Sequence, residues 1–237
     1  MTIIDPDASK SAEAAAIGQT GWGLPLALGA PAAIAWREAA PRGRPRGKED
    51  IMAEETVAIL FAPGFEETEA VAPYDVLRRG EVAVECVAVS DDKTVKSSRD
   101  LPIVCTHTLA EVDLGNYSAL VLPGGIPGMP NLKATDAVRE ALTDFAANGK
   151  LVAAICASPS ILAELGLLTG RRATANPNFQ HILTENGATV IQDEAVVDGA
   201  IITSKGAGTS VAFGLEILRY LRGDDAVAKV RKGMVLD

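Results

Sequence analysis

The sequence predicts an α/β domain built on a mostly parallel sheet with helices on both faces. From Thr56 onward, short apolar runs alternate with stretches of helical period. The runs are apolar almost throughout, which is typical of strands that are covered by helices on both sides. Strands that alternate with helices in this way form parallel sheets.

Each element follows from this alternation. The strand-like runs are TVAILFA, VAVECVAVS, SALVLPG, LVAAIC and AIITS. The helical stretches between them are predicted at Glu67–Arg79, Thr135–Asn148, Ser158–Leu165, Asn178–Asn186 and Gly208–Leu221. Short polar runs near 93–104 and 188–198 predict minor antiparallel additions. Active sites of such sheets lie at the carboxyl ends of the strands.

The first 52 residues differ from the rest of the chain. They hold six acidic and six basic residues, so the remaining residues carry the whole net charge of −9. Glycine and proline interrupt every candidate element. We expect 1–52 to be a disordered or non-native extension, with translation starting at Met52 because Lys48-Glu49 can encode a ribosome-binding sequence. The predicted α/β domain then spans 53–237.

Composition excludes several functional classes. The net charge of −9 argues against a nucleic-acid surface. No apolar run is long enough to span a bilayer. The three cysteines lack disulfide or metal-site spacing, and no phosphate or dinucleotide loop is present. We therefore predict a cytoplasmic protein without cofactor, bound metal, nucleic-acid partner or membrane partner.

The segment LVAAICASPS (151–160) contains the strongest candidate for a catalytic residue. An apolar strand ends in Cys156 and turns directly into a helix, which puts the sulfur at the helix N-terminus. Free N–H groups and the helix dipole at this position lower the pKa of a thiol. The alternative is a cysteine that only packs in the core. Cys86 and Cys105 lie in strand-like runs and are predicted to be structural.

Two other strand ends carry candidate groups. The run GFEETE (64–69) follows the first strand, and Glu69 lies one helical turn in, where it can point towards the strand ends. Pro123-Gly124-Gly125 follows the third long strand. A Gly-Gly corner lets backbone N–H groups face a pocket, as an oxyanion hole requires.

Together these segments resemble the ThiJ/PfpI superfamily, in particular the branch of the parkinsonism-associated deglycase and its bacterial relatives. The resemblance runs in order over 55–237 through GFEETEAVAPYDVLRRG, SSRD, YSALVLPGG, LVAAICASP, ATANPNF and ITSKGAGTS. It implies a flavodoxin-like α/β sandwich and a homodimer. It also implies a strained nucleophile elbow at Cys156, with Glu69 as the protonated carboxyl that hydrogen-bonds the sulfur.

The resemblance implies roles for four further residues. The backbone N–H groups of Gly125 and Ala157 would form the oxyanion site. Arg79 and Arg99 match family positions near the dimer seam and the pocket. For both arginines, plain surface or interface salt bridges are an equally good interpretation.

One position departs from the family pattern. Asn176, in ATANPNF, occupies the place where a histidine is expected beside the cysteine. His107 and His181 fall outside this motif, so a Cys–His–acid triad is poorly supported. Ala157 follows Cys156 where the peptidase-like branch requires a histidine, which excludes that branch. Asn176 is retained as a candidate for substrate contact or the dimer seam.

The function predicted from these residues is that of a glutathione-independent glyoxalase or deglycase-like enzyme. Its substrates would be methylglyoxal, related small dicarbonyls and their adducts. The Cys156 thiolate would attack the aldehyde, and Glu69 would move protons. The alternative is a non-enzymatic, cysteine-based oxidative-stress sensor or protein-protecting chaperone.

Overall fold

The computed structural model describes residues 55–236, and the predicted extension at 1–52 lies outside them. The strands are β1 (Thr56–Phe61), β2 (Ala83–Ala88), β3 (Thr94–Lys96), β4 (Pro102–Val104), β5 (His107–Thr108), β6 (Ala119–Leu122), β7 (Leu151–Ile155), β8 (Arg172–Ala173), β9 (Thr189–Val190), β10 (Ala195–Asp198) and β11 (Ile201–Ser204). The helices are α1 (Glu67–Arg79), α2 (Gly128–Ala134), α3 (Asp136–Ala147), α4 (Pro159–Glu164), α5 (Gln180–Glu185), α6 (Ser210–Arg222) and α7 (Asp224–Gly233).

The central sheet has the strand order β10-β11-β7-β6-β1-β2-β5. All neighbouring pairs are parallel except β10 with β11. Strands β1, β6 and β7 lie in its middle and are buried along almost their whole length, because helices cover both faces. This arrangement confirms the predicted α/β class and is consistent with the flavodoxin-like fold.

The two faces of the sheet bury separate apolar cores. One core contains Phe145 of α3 and Ile161 of α4. The other contains Val76 of α1, Phe213 of α6 and Val227 of α7. The helices therefore form a layer on each side of the sheet, which confirms the predicted sandwich.

Some predictions about the smaller elements were incomplete or wrong. The hairpin of β3 and β4 confirms the antiparallel addition predicted near 93–104. Near 188–198, β10 is antiparallel as predicted, but Thr189–Val190 (β9) pairs in parallel with β8. Helices α2 and α7 and strand β5 were not predicted. Strand β5 has two residues, and α7 begins directly after α6 at Gly223, so neither has a long separate apolar period.

Helices α1 and α6 pack closely, and this contact positions the site. A Cβ at Gly214 of α6 would lie 3.0 Å from the Cα of Pro73 in α1, so the glycine permits the close approach. The N-terminal turn of α1 and the turn before α6 both lie at the carboxyl edge of the sheet. Among residues 55–236, no helix has the length and hydropathy needed to cross a membrane.

Candidate active site

Four neighbouring strands deliver the candidate residues to one edge of the sheet. Strands β11, β7, β6 and β1 are consecutive and parallel, so their carboxyl ends meet there. A Cβ at Gly206, after β11, would lie 3.7 Å from Glu69 Oε1, 3.7 Å from Asn176 Nδ2 and 3.9 Å from Cys156 Sγ. The missing side chain of Gly206 thus leaves open the space that these three groups share.

Cys156 stands at a strained turn directly after β7. Its φ is 65°, a left-handed conformation that is uncommon for a residue other than glycine. The turn is held on both sides, because Cys156 N–H donates to Ser204 O at 3.0 Å and Cys156 O accepts from Asn176 N at 2.8 Å. Such strain costs on the order of 1–3 kcal/mol and is found mainly at functional sites. The geometry is that of the predicted nucleophile elbow.

Glu69 meets the cysteine from the first turn of α1. Its side chain is only 1% exposed. One carboxyl oxygen, Oε2, accepts from Gly124 N–H at 2.9 Å, and the carboxyl hydrogen-bonds Cys156. Glu66 caps the helix by accepting from Glu69 N–H at 2.8 Å, which fixes the start of α1 and therefore the direction of Glu69. The predicted Cys–Glu pair is brought together.

The protonation of the thiol differs from the sequence-based prediction, whereas the raised pKa of Glu69 favours the protonated carboxyl that the resemblance implies. Burial raises the pKa of Glu69 to about 7. Burial, followed by the charge of Glu69, raises the pKa of Cys156 to about 12. Hydrogen bonds from Gly125 and Ala157 N–H lower the Cys156 pKa but do not outweigh burial. The predicted lowering of the thiol pKa was therefore wrong, because burial of the sulfur and the facing carboxyl of Glu69 outweigh the N–H groups beside it.

The predicted oxyanion groups both lie beside the sulfur. Gly125 and Ala157 each donate a backbone hydrogen bond to Cys156. The corner that carries Gly125 needs glycine, because φ there is 95° and a Cβ would lie 2.5 Å from Glu66 N. Two N–H groups on one atom can stabilise negative charge that develops next to it.

Gly124, the other glycine of this corner, is also sensitive to an added methyl group. A Cβ at Gly124 would lie 2.6 Å from Cys156 Cβ and 2.7 Å from Glu69 Oε2. We expect Gly124→Ala to lower the free energy of unfolding by about 1–3 kcal/mol, measured by urea denaturation, because both partners must move. Gly208→Ala is the matched control, since its Cβ would meet nothing within 4 Å. Equal stability of the two variants would contradict this.

Comparison with known proteins identifies the family. The model of the DJ-1/PfpI family matches residues 55–220. The chain belongs to the DJ-1/PfpI family. It is 36% identical over 178 residues to protein dj-1beta of Drosophila melanogaster, which covers 75% of this chain and 95% of that protein.

Two further members are similar over most of the chain. The glutathione-independent glyoxalase DJR-1.2 of Caenorhabditis elegans is 32% identical over 185 residues, 78% of this chain and 98% of that protein. The solved structure of oxidised Toxoplasma gondii DJ-1 has a TM-score of 0.72 and 30% identity, and the match covers 76% of this chain and 97% of that one. These matches extend over nearly the whole length of each DJ-1/PfpI protein.

Asn176 lies in the pocket of this DJ-1/PfpI domain. Its Oδ1 accepts from Asn178 N–H at 3.1 Å, and its Nδ2 faces the open space at Gly206. The amide can therefore offer a hydrogen-bond donor to a small ligand, but it cannot accept and pass on a proton as a histidine would.

The two histidines of the chain lie away from this site. His107 lies on β5, and its Nε2 lies 3.6 Å from Glu85 Oε2. His181 is exposed on α5. Neither forms a triad with Cys156, as predicted from the motif spacing.

The two arginines have different surroundings. Arg79, at the C-terminal end of α1, pairs with Asp75 at 2.8 Å on the surface. It lies ten residues beyond Glu69, about 15 Å along the helix axis, so it does not reach the pocket. Arg99 lies closer, with Nη1 at 3.7 Å from Glu66 Oε1. Arg79 is therefore too far along α1 to contact a substrate in the pocket of its own chain, whereas Arg99 borders the turn that carries Glu69.

Sequence reasoning missed two contributors to the site. Ala207 N–H, in the turn before α6, hydrogen-bonds Glu69 and lowers its pKa against the effect of burial. Gly206 leaves the pocket open. The run GAGTS can be predicted to follow a strand, but its sequence does not indicate which backbone N–H faces the carboxyl of Glu69. Among residues 55–236, no group of three or more His, Cys, Asp or Glu side chains is arranged to hold a metal ion.

Proposed function

We propose that this DJ-1/PfpI protein is a glutathione-independent glyoxalase or deglycase-like enzyme that acts on methylglyoxal and related small dicarbonyls. The observation that carries the proposal is the contact of the Cys156 thiol with a buried carboxyl whose pKa is about 7. The relative from Caenorhabditis elegans, named a glutathione-independent glyoxalase, supports the same reaction.

The first step is addition of the thiol to the aldehyde carbon. Because burial raises the pKa of Cys156, a base is needed, and Glu69 with a pKa of about 7 is half ionised near neutral pH. The Glu69 carboxylate takes the thiol proton as the S–C bond forms and the carbonyl electron pair moves to oxygen. Gly125 and Ala157 N–H stabilise this oxyanion, which then receives the proton from Glu69.

The second step is an internal proton transfer that needs no external oxidant. The regenerated Glu69 carboxylate removes the proton from the former aldehyde carbon, which gives an enediolate. The hydroxyl proton then moves to the second carbonyl oxygen, and Glu69 returns its proton to the neighbouring carbon, which converts the hemithioacetal into a thioester. Water then attacks the thioester, the C–S bond breaks, and lactate and the free thiol are released. Asn176 Nδ2 can hold the second carbonyl oxygen during the transfer.

The proposal predicts a specific pH profile. If Glu69 must be ionised in the free enzyme, kcat/KM for methylglyoxal rises with pH and levels off above the carboxyl pKa of about 7. The measurement is lactate formation without glutathione between pH 5 and 9. A profile that is flat through pH 7 would exclude Glu69 as the base, and no lactate at any pH would exclude the reaction.

A homodimer in the cytoplasm is part of the same proposal. Val104 on β4 is 75% exposed, and Leu101 and Val71 are 46% and 43% exposed. We propose that these three exposed side chains form one apolar patch, because Ser98 N–H donates to Phe65 O at 2.7 Å and so ties the segment before β4 to the residues before α1. Such patches commonly mark an interface, here with a second copy of the chain. The three cysteines are unpaired, as suits a reducing compartment.

The dimer can be tested at the most exposed position of the patch. We expect Val104→Glu to shift the protein from dimer to monomer in sedimentation velocity, because a charge would be buried at the seam. Val235→Glu is the matched control, since Val235 is 84% exposed near the C-terminus. A wild-type protein that is already monomeric would refute the dimer.

Cysteine-based redox sensing is the second candidate function. A sulfur beside a carboxyl and two N–H donors can be held as sulfinate, formed by two equivalents of peroxide with release of two waters. The similar Toxoplasma gondii protein was solved in an oxidised form. Cys86 lies on β2, three strands away from β7 and about 14 Å distant, so a resolving disulfide would not form.

Mass spectrometry after graded peroxide distinguishes this candidate. Sensing predicts two added oxygen atoms on the Cys156 peptide at peroxide levels that leave Cys86 unmodified, because Glu69 lies beside the Cys156 sulfur as a base, whereas the pKa of Cys86 is raised by burial alone. Equal oxidation of the two cysteines would reject the sensor. A protein-protecting chaperone role is tested by comparing how well the oxidised protein and Cys156→Ser keep aggregating client proteins in solution.

A further inference from the structure

A buried serine connects the two backbone segments that carry the oxyanion donors. Ser158 begins α4, two residues after the nucleophile, and is fully buried. Its Oγ donates to the carbonyl of Pro123 at 2.6 Å, across 35 residues of sequence. Ser158 N–H also donates to Ile155 O at 3.1 Å, which closes the turn at Cys156.

The Pro123 carbonyl belongs to the corner that supplies half of the site. Gly124 N–H donates to Glu69 Oε2 at 2.9 Å, and Gly124 O accepts from Glu66 N–H at 3.1 Å. Gly125 N–H then reaches the sulfur of Cys156. Ser158 Oγ bonds to Pro123, the residue directly before Gly124 and Gly125, so this hydrogen bond fixes the position of the corner relative to the elbow at Cys156.

We propose that Ser158 is a positioning residue for the reaction of Cys156. Its hydroxyl holds the Pro123–Gly125 corner against the elbow, so that Gly125 N–H and Ala157 N–H point to the same place beside the sulfur. Only the expected effect on the rate of lactate formation rests on the proposed function. The hydrogen bonds to the sulfur are a property of the site whatever the substrate.

The charged and polar side chains that face the sulfur are not the hydrogen-bond partners of the Ser158 hydroxyl. Glu69 faces Cys156 from α1, and Glu66 acts on Glu69 through its charge. Asn176, from the segment before α5, contributes a neutral amide. None of these groups bonds to Ser158 Oγ, whose partner is the Pro123 carbonyl. A change in thiol reactivity in a Ser158 variant therefore reports on the corner.

Ser160 provides a matched control. It is 2% exposed, and its Oγ donates at 2.6 Å to Ala157 O, three residues earlier in the same segment of the chain. Ser158→Ala and Ser160→Ala each remove one buried hydrogen bond of the same length. Only the first bond joins α4 to the Pro123–Gly125 corner.

The test uses the full chain and measures the alkylation rate of Cys156 with iodoacetamide from pH 6 to 11, identified by peptide mass. We expect Ser158→Ala to lower the alkylation rate at every pH in this range, because the thiolate loses a well-placed N–H donor and a smaller fraction of the thiol is ionised. We also expect kcat for lactate formation to fall about tenfold with little change in KM, less than the roughly 10²-fold loss for removing an oxyanion donor outright. Ser160→Ala should change neither quantity.

Two results would overturn the proposal. One is a Ser158→Ala protein with the alkylation profile of the wild type. The other is an equal change in Ser160→Ala, which would assign the effect to helix stability. Thermal unfolding of both variants measures stability separately. If the wild type forms no lactate, the proposed function fails, whereas the alkylation profiles still decide the role of Ser158.

Discussion

Replacing Cys156 with serine is expected to remove lactate formation from methylglyoxal almost completely. Loss of a covalent nucleophile lowers kcat by a factor on the order of 10⁴ or more. Serine nearly keeps the size of the side chain, but a hydroxyl is a far weaker nucleophile than a thiol. The measurement is enzymatic detection of lactate without glutathione.

Cys86→Ser is the control for this substitution. Cys86 is a partly buried thiol on β2 whose pKa is raised to about 11 by burial alone. It contacts no carboxyl of the site and should leave kcat unchanged. If Cys156→Ser retains activity, or if Cys86→Ser loses as much, then the sulfur at the elbow is not the nucleophile. The redox function of Cys156 would then become the stronger candidate.

Replacing Glu69 with glutamine is expected to lower kcat by about 10²–10⁴, because glutamine cannot carry a proton between the sulfur, the oxygen and the two carbon atoms. The amide keeps the shape of the side chain, and its oxygen can still accept from Gly124 N–H. KM should change little, since the pocket keeps its form. Steady-state kinetics with methylglyoxal measure both quantities.

Glu67→Gln is the matched control, because Glu67 lies in the same turn of α1. Its side chain is 20% exposed, and its Oε2 lies 4.0 Å from Arg99 Nη1, which is a weak ion pair. It should retain the wild-type kcat. Equal activity of Glu69→Gln and wild type would show that another group moves the protons.

Replacing Glu69 with glutamine should also change how the free energy of unfolding depends on pH. The pKa of Glu69 is about 7 in the folded protein against 4.5 for the free side chain. Between pH 4.5 and 7 the folded state therefore binds more protons than the unfolded state. The contribution of this proton binding to the free energy of unfolding is greatest below pH 4.5 and is lost as pH rises through 7. It amounts to about 3 kcal/mol.

Urea denaturation at pH 5 and pH 8 can isolate this contribution. The free energy of unfolding of wild type minus that of Glu69→Gln should be larger at pH 5 than at pH 8, because other groups titrate in both proteins and cancel. An equal difference at the two pH values would mean that Glu69 titrates normally in the fold.

The repeating elements of the domain are predictable from sequence because they depend on local patterns. The predicted bounds of α1, Glu67–Arg79, agree with the structure, since an acidic N-terminus and a final arginine pair frame one apolar period. The central strands β1, β6 and β7 are apolar on both faces almost throughout, which is the consequence of lying between two helix layers. Element α7 was missed because Gly223 separates it from α6 without a loop.

The members of the site were also accessible from sequence, because parallel strands deliver their carboxyl ends to one edge. Cys156, Glu69 and Gly125 could therefore be chosen before their distances were known. Whether Arg79 reaches the pocket cannot be predicted in this way. A family position in a motif does not say which end of a helix faces the pocket, and Arg79 lies at the other end of α1 from Glu69.

The sequence by itself determined the α/β class, the order of the main elements, the elbow at Cys156 and the carboxyl that meets it. Only the tertiary structure decided the protonation of that pair, the part of Ala207 and Gly206 in the pocket, and the bond from Ser158 to Pro123. The physical reason is that period and spacing are properties of neighbouring residues. Desolvation and backbone hydrogen bonds between segments depend on groups that the chain brings together only when it folds.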